Sequence, residues 1–239
     1  MTRMLKRLFT AALFSTLLCA GAAAQDAARG SRELVARGNE RYARGEYEAA
    51  IKVYSLVPAD AGEAYAQALY NIGVCRFELW QTDEAARLYA LAIEASAGRY
   101  PKASYALGVA LEELGRAAEA KESYGRAAAR GYAPAHYKLG MLAEAAGDVA
   151  TAAAHFREAV RRWKGGFPAG HNNLGVMLAR VGRLDEAERE FEAALGASEG
   201  KFEEAAHNLK LCRTLLAAGR AGGGPAEMKI AALADGFRR

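Results

Sequence analysis

At 239 residues, 52% hydrophobic and 25% charged, the chain is ordinary globular material, enough for one or two compact domains or one continuous solenoid. Its formal charge of +4 does not mark a nucleic-acid binder, because the longest basic cluster, Arg161-Arg162 with Lys164, is too sparse to neutralise a phosphate backbone. That cluster reads instead as a solvated helix end.

Residues 1–24 come first. Arg3, Lys6 and Arg7 precede an apolar run from Leu8 to about Ala20, and Ala22-Ala23-Ala24 follows as a small-residue cleavage site. That is the layout of a secretory signal peptide, with Gln25 as the first mature residue. The run is short of the ~20 residues that a spanning helix needs, so membrane contact is expected only through this leader if it is retained. Its removal leaves 29 basic against 28 acidic side chains, so most of the net charge belongs to the leader. The expected location is periplasmic or secreted.

From residue 31 the chain repeats. Gly38, Gly73, Gly108, Gly140 and Gly175 are each followed twelve residues later by an alanine and sixteen residues later by Tyr54, Tyr89, Tyr124, Phe156 and Phe191. Successive glycines stand 35, 35, 32 and 35 residues apart, a period that implies stacked helical units. Within each unit the apolar spacing predicts two helices, as in 67–79 with 83–95, 102–114 with 118–130, and 169–181 with 185–195. Gly45, Gly115, Gly147 and Gly182 stand at the turn between the two helices, and Trp80 takes that place once. Asp83-Glu84 and Asp185-Glu186 open second helices, where their charge complements the helix dipole.

A mid-helix glycine costs about 0.5 to 1 kcal/mol relative to alanine, so five of them need a return. Close approach to the alanine on the paired helix, with the aromatic filling the groove alongside, supplies one. Cys75 and Cys212 fall at inward positions four repeats apart, beyond disulfide reach, and are expected as buried free thiols. Residues 203–218 carry the same apolar stripe with Lys210 in place of glycine, which fits a capping helix; Gly222-Gly223-Gly224-Pro225 then breaks the chain ahead of a flexible tail over 219–239.

Leu-Gly in the first helix with glycine, alanine, aromatic and alanine at these offsets resembles the tetratricopeptide repeat. The resemblance covers about residues 31–218, as units 31–65, 66–100, 101–132, 133–167 and 168–202 plus the cap, and residues 120–160 also look like the related Sel1-type repeat. It implies an all-α, right-handed superhelical solenoid of helix-turn-helix repeats, and a partner-binding rather than enzymatic role. The family's inner groove is lined by residues three before the glycine and one after it. Tyr70, Tyr105, Tyr137 and Asn172 fall in the first set here, and Asn39 and Met141 in the second.

Three tyrosines in consecutive repeats are expected to form an exposed floor for a protein or peptide partner, or for a glycan ring. Tyr105→Ala with Tyr137→Ala should then leave stability nearly unchanged while removing partner capture. Some family members grip a peptide carboxylate with basic and asparagine residues, and Asn39, Asn71 and Lys102 match three of those five places; Val35 and Ala106 do not. Four histidines, without a completing cysteine or carboxylate, are read as half-buried hydrogen-bonding groups, so neither metal nor cofactor is expected. No phosphate loop, zincin motif or nucleophile elbow is present, and no catalytic residue is assigned.

Overall fold

The computed structural model describes residues 25–220. The leader over 1–24 and the tail beyond 220 lie outside the described residues. Among those described, every regular element is helical: α1 over 25–43, α2 (Tyr47–Tyr54), a short 3-10 turn (Ala59–Ala61), α3 (Glu63–Glu78), α4 (Thr82–Ala95), α5 (Pro101–Glu113), α6 (Ala117–Ala129), α7 (Ala133–Ala145), α8 (Val149–Arg162), α9 (Pro168–Arg180), α10 (Leu184–Ala197) and α11 (Glu203–Arg220).

These elements match the expected pairs to within a few residues. Three corrections apply at the ends. The first helix starts at 25 rather than 31, α3 begins a turn earlier than its apolar spacing suggested, and α11 runs through 220, past the expected end of the cap.

Contacts divide the chain into residues 1–120 and 121–239. In the first unit α2 packs on α3, α3 on α4 and α4 on α5; in the second α7 packs on α8, α8 on α9, α9 on α10 and α10 on α11. Proline in the first turn starts α5, α7 and α9, where a missing N–H costs nothing.

All five first helices close alike. The N–H two residues past the cap bonds back five residues, closing a six-residue turn, in Glu46→Arg41 (3.0 Å), Gln81→Arg76 (2.9 Å), Arg116→Leu111 (2.8 Å), Asp148→Ala143 (2.9 Å) and Arg183→Leu178 (2.9 Å). This closure needs a left-handed residue, and Trp80 adopts it with φ 60° just as the four turn glycines do with φ 73–77°. A tryptophan there accepts a backbone penalty of ~1 to 2 kcal/mol that glycine avoids.

The mid-helix glycines have a sharper reason than the one inferred from sequence. A methyl group on Gly73, Gly140 or Gly175 would lie 2.7, 2.6 or 2.6 Å from the ring of Tyr89, Phe156 or Phe191, and Gly38 is covered in the same way by Tyr54. The ring itself sits on the glycine, and the alanine is the more distant neighbour, with the Ala85 carbonyl 3.4 Å from the same point at Gly73. These aromatics are 0–3% exposed, so they have nowhere to retreat. The repeat alanines Ala50, Ala85, Ala152 and Ala187, and Ala92, Ala159 and Ala194 one turn or two further on, are wholly buried.

Candidate functional site

In the first unit, α1 and α3 bring Asn39, Tyr70 and Asn71 to one depression of about 310 Å³, whose walls are completed by Tyr42, Tyr54 and Val74. The Tyr54 hydroxyl donates to Asn39 Oδ1 at 2.7 Å and Asn71 Nδ2 donates to the same oxygen at 3.0 Å. One asparagine oxygen thus takes two donors, leaving the Asn39 amide N–H groups and the Asn71 carbonyl oxygen directed by that junction. They are one donor group and one acceptor group on successive first helices, as a peptide backbone requires. Burial pushes the Tyr54 phenol well above its ordinary range, so it remains a neutral donor.

Lys102 departs from the expected carboxylate grip. It is exposed and lines a different depression, of about 410 Å³, together with Arg99, Tyr100, Ser96, Glu63 and Gln67. Lys102 thus borders a different depression from the Asn39 and Asn71 pair because it sits in the first turn of α5, beside the α4–α5 loop.

The expected tyrosine floor also requires correction. Tyr70 is half-buried between two rings, 5.7 Å from Tyr89 and 5.1 Å edge-on to Tyr100. Tyr137 stands likewise between Phe156 at 5.6 Å and Phe167 at 4.9 Å. Each forms the middle of a three-ring stack linking the second-helix aromatic to the residue preceding the next first helix, so these half-buried tyrosines are packing groups. A stack on a sugar ring, the glycan alternative, would need a free face. Tyr105, on α5, is half-buried too, and burial followed by the nearby Glu112 raises its phenol.

In the second unit Met141, one turn beyond Tyr137, is 41% exposed and so open to contact. Asn172 does not. It is fully buried, and its Oδ1 accepts from Asn208 Nδ2 at 2.9 Å, so it cannot touch a partner. Val35 and Val176, at other groove positions of the repeat, are buried as well.

Sequence reasoning missed Asn173 and Asn208, which with Asn71, named there only for a carboxylate grip, are the donors in these bonds. Asn71, Asn173 and Asn208 occupy the same register, and each reaches back to an inner position of the preceding repeat: Asn39, the Tyr137 hydroxyl at 3.2 Å, and Asn172. Their recurrence at two residues before the glycine, or before Lys210, was the available signal.

The histidines pair rather than cluster. His136 Nδ1 lies 3.3 Å from His155 Nδ1, while one repeat later His171 Nδ1 lies 2.8 Å from Glu190 Oε2. Burial, then each other's presence and Arg162, lowers the His136 pKa; burial and Lys121 lower that of His155. Among the described residues no three His, Cys, Asp or Glu side chains converge as metal ligands. Cys75 and Cys212 are buried free thiols, pushed up to about 11 by burial, which makes them poor nucleophiles.

The profile described as tetratricopeptide repeat matches residues 32–101, 105–167 and 137–202, which include the stretch with the 32-residue spacing. Among solved structures, a MamA protein is similar at 23% identity, with TM-score 0.53 over 72% of this chain and 94% of that one. YrrB, titled a TPR protein with an unusual peptide-binding site, is similar at 21% identity and TM-score 0.52, over 74% of this chain and 90% of its own. PilF of Pseudomonas aeruginosa gives 17% identity and TM-score 0.57, over 87% and 97%. No curated protein matches the chain.

Proposed function

Because the chain belongs to the tetratricopeptide repeat family, we propose that it is an exported, non-enzymatic scaffold that holds an extended segment of a partner protein against its first helices. The observation that carries this reading is the Asn39–Asn71 junction. Its bond spans two repeats, and it presents a backbone-like donor and acceptor beside Tyr42, Tyr70 and Val74 in a depression. Such a surface supplies main-chain hydrogen bonds from the asparagines and apolar contact from the tyrosines, which suits a peptide better than a free small molecule. YrrB, of the same fold, is described as binding a peptide. Export rests on the basic, apolar and small-residue order of residues 1–24.

Peptide-display selection against the chain without residues 1–24 tests the reading. Binding of the selected peptides should weaken roughly tenfold or more in Asn39→Leu/Asn71→Leu, a loss of about 1.4 kcal/mol, measured at a temperature where circular dichroism shows the variant fully folded. Unaltered affinity in that variant would remove the site. N-terminal sequencing of the protein recovered from its own cells tests export separately: Gln25 as first residue supports it, and an intact leader opposes it.

A further inference from the structure

In the second unit a first helix receives its own second helix on one fixed face. On α9 that face is His171, Leu174, Gly175, Leu178 and Ala179: His171 bonds Glu190 of α10, the Phe191 ring lies on Gly175, and the other three are buried. α7 meets α8 in the same register, His136 facing His155 and Gly140 lying under Phe156. The corresponding residues of α11, each 35 further on, are Ala206, Leu209, Lys210, Arg213 and Thr214. Together with Ala217 and with Leu195 of α10 they line a groove of about 470 Å³. Of the α11 residues there, only Leu209 is buried. The seat for a second helix is thus present on α11, and no second helix fills it among the described residues.

We propose that residues 225–237 of the same chain, which lie outside the described residues, fold back as a helix into this groove and complete a sixth repeat. Pro225 opens the segment as proline opens α5, α7 and α9, and Glu227 in the first turn suits the helix dipole. Ala226, Ile230, Leu233 and Phe237 then form an apolar stripe in steps of 4, 3 and 4. Read backwards, Ala217, Arg213, Lys210 and Ala206 of the groove follow the same steps. An antiparallel helix therefore sets the two rows against each other, and the four residues 221–224 form a linker of the length that joins such pairs. Ile230 lies along the Arg213 stem, whose guanidinium is drawn to α10 by Glu188 at 2.7 Å and Glu192 at 2.6 Å. Leu233 takes the place opposite Lys210 that Phe191 takes opposite Gly175, and without a ring there a glycine is not required. So short a tether holds the segment at an effective concentration of about millimolar, which favours it over a helix from another molecule. The groove shares no residue with the Asn39–Asn71 junction, so either reading can fail alone.

Hydrogen exchange of the full chain, followed by mass spectrometry, is the test. Amides of 226–237 should exchange roughly tenfold or more slowly than in a synthetic 221–239 peptide, and equally so at every protein concentration. Ala206→Glu/Ala217→Glu, at exposed positions of the groove, should bring the segment to the rate of the peptide while α9 and α10 keep theirs. Leu233→Ser/Phe237→Ser should do the same from the other side of the contact. Exchange in wild type as fast as in the peptide overturns the proposal. So does protection that survives either variant, or protection lost on dilution, which would mark docking on a second copy. The wild type and the Leu233/Phe237 variant decide the matter even if the Ala206/Ala217 change fails to fold.

Discussion

The stacks Tyr89–Tyr70–Tyr100 and Phe156–Tyr137–Phe167 are built on one plan, and they part company at both ends of the middle ring. In the second unit the Tyr137 hydroxyl is held by Asn173 and the outer ring is covered by Trp163. In the first, the asparagine of the same register turns to Asn39 instead, and Tyr100 lines a depression of about 410 Å³. The repeat therefore fixes where rings stand but not how they are finished. The closed version is framework; the open version leaves polar groups and volume for something else to use.

The largest expected effect breaks the closed version. Tyr137→Ala removes a half-buried ring from between two others and strands the Asn173 amide, so it should cost about 2 to 3 kcal/mol in urea denaturation. This reverses the expectation from sequence that the groove tyrosines are dispensable to stability. An unchanged denaturation midpoint would return Tyr137 to the exposed floor.

Asparagines sharpen the contrast next. Asn208→Leu leaves the buried Asn172 oxygen without its donor and should cost about 1 to 3 kcal/mol, whereas Asn71→Leu, at a partly exposed junction, should cost less than about 0.5 kcal/mol. Equal costs would mean that the two bonds do the same work.

A smaller effect separates two neighbouring joints of the second unit. With the His136 and His155 pKa values lowered in the folded state, the unfolded chain takes up protons first. Stability conferred by their neutral pairing is full above the ordinary histidine value of about 6.5 and falls as pH drops through and below it. Lys121 and Arg162 add to this and Glu158 opposes it. His155→Glu copies the His171–Glu190 arrangement and should flatten the acid side of a melting-temperature profile. A profile identical to wild type would exclude the pair as its cause.

Much of the framework was legible because its signals are local. The glycine, alanine and aromatic offsets, the turn glycines and the acidic helix starts each act within one helix pair, and α3 to α10 followed them closely. Even Trp80 kept the left-handed turn, since the six-residue closure depends on the pair around it rather than on the glycine itself. The site was less legible because it is made between repeats. The repeat register assigns both Asn172 and Asn39 to the inner groove, yet Asn172 is buried under Asn208 and Asn39 is exposed beside Asn71. Nor does sequence spacing reveal that Tyr100 and Phe167 reach back to Tyr70 and Tyr137, or that Lys102 borders a separate depression.

An aromatic ring lying on a bare helix backbone locks the repeats of Gly38, Gly73, Gly140 and Gly175, and a double-mutant cycle on Gly175 and Phe191 is the sharpest test of that lock. In the wild-type background Gly175→Ala should destabilise by ~1 to 3 kcal/mol, despite alanine's better helix propensity, because the new methyl would lie 2.6 Å from the ring. In a Phe191→Leu background, with the ring gone, the same change should cost nothing or stabilise by a few tenths of a kcal/mol. An equal cost in both backgrounds would contradict the account.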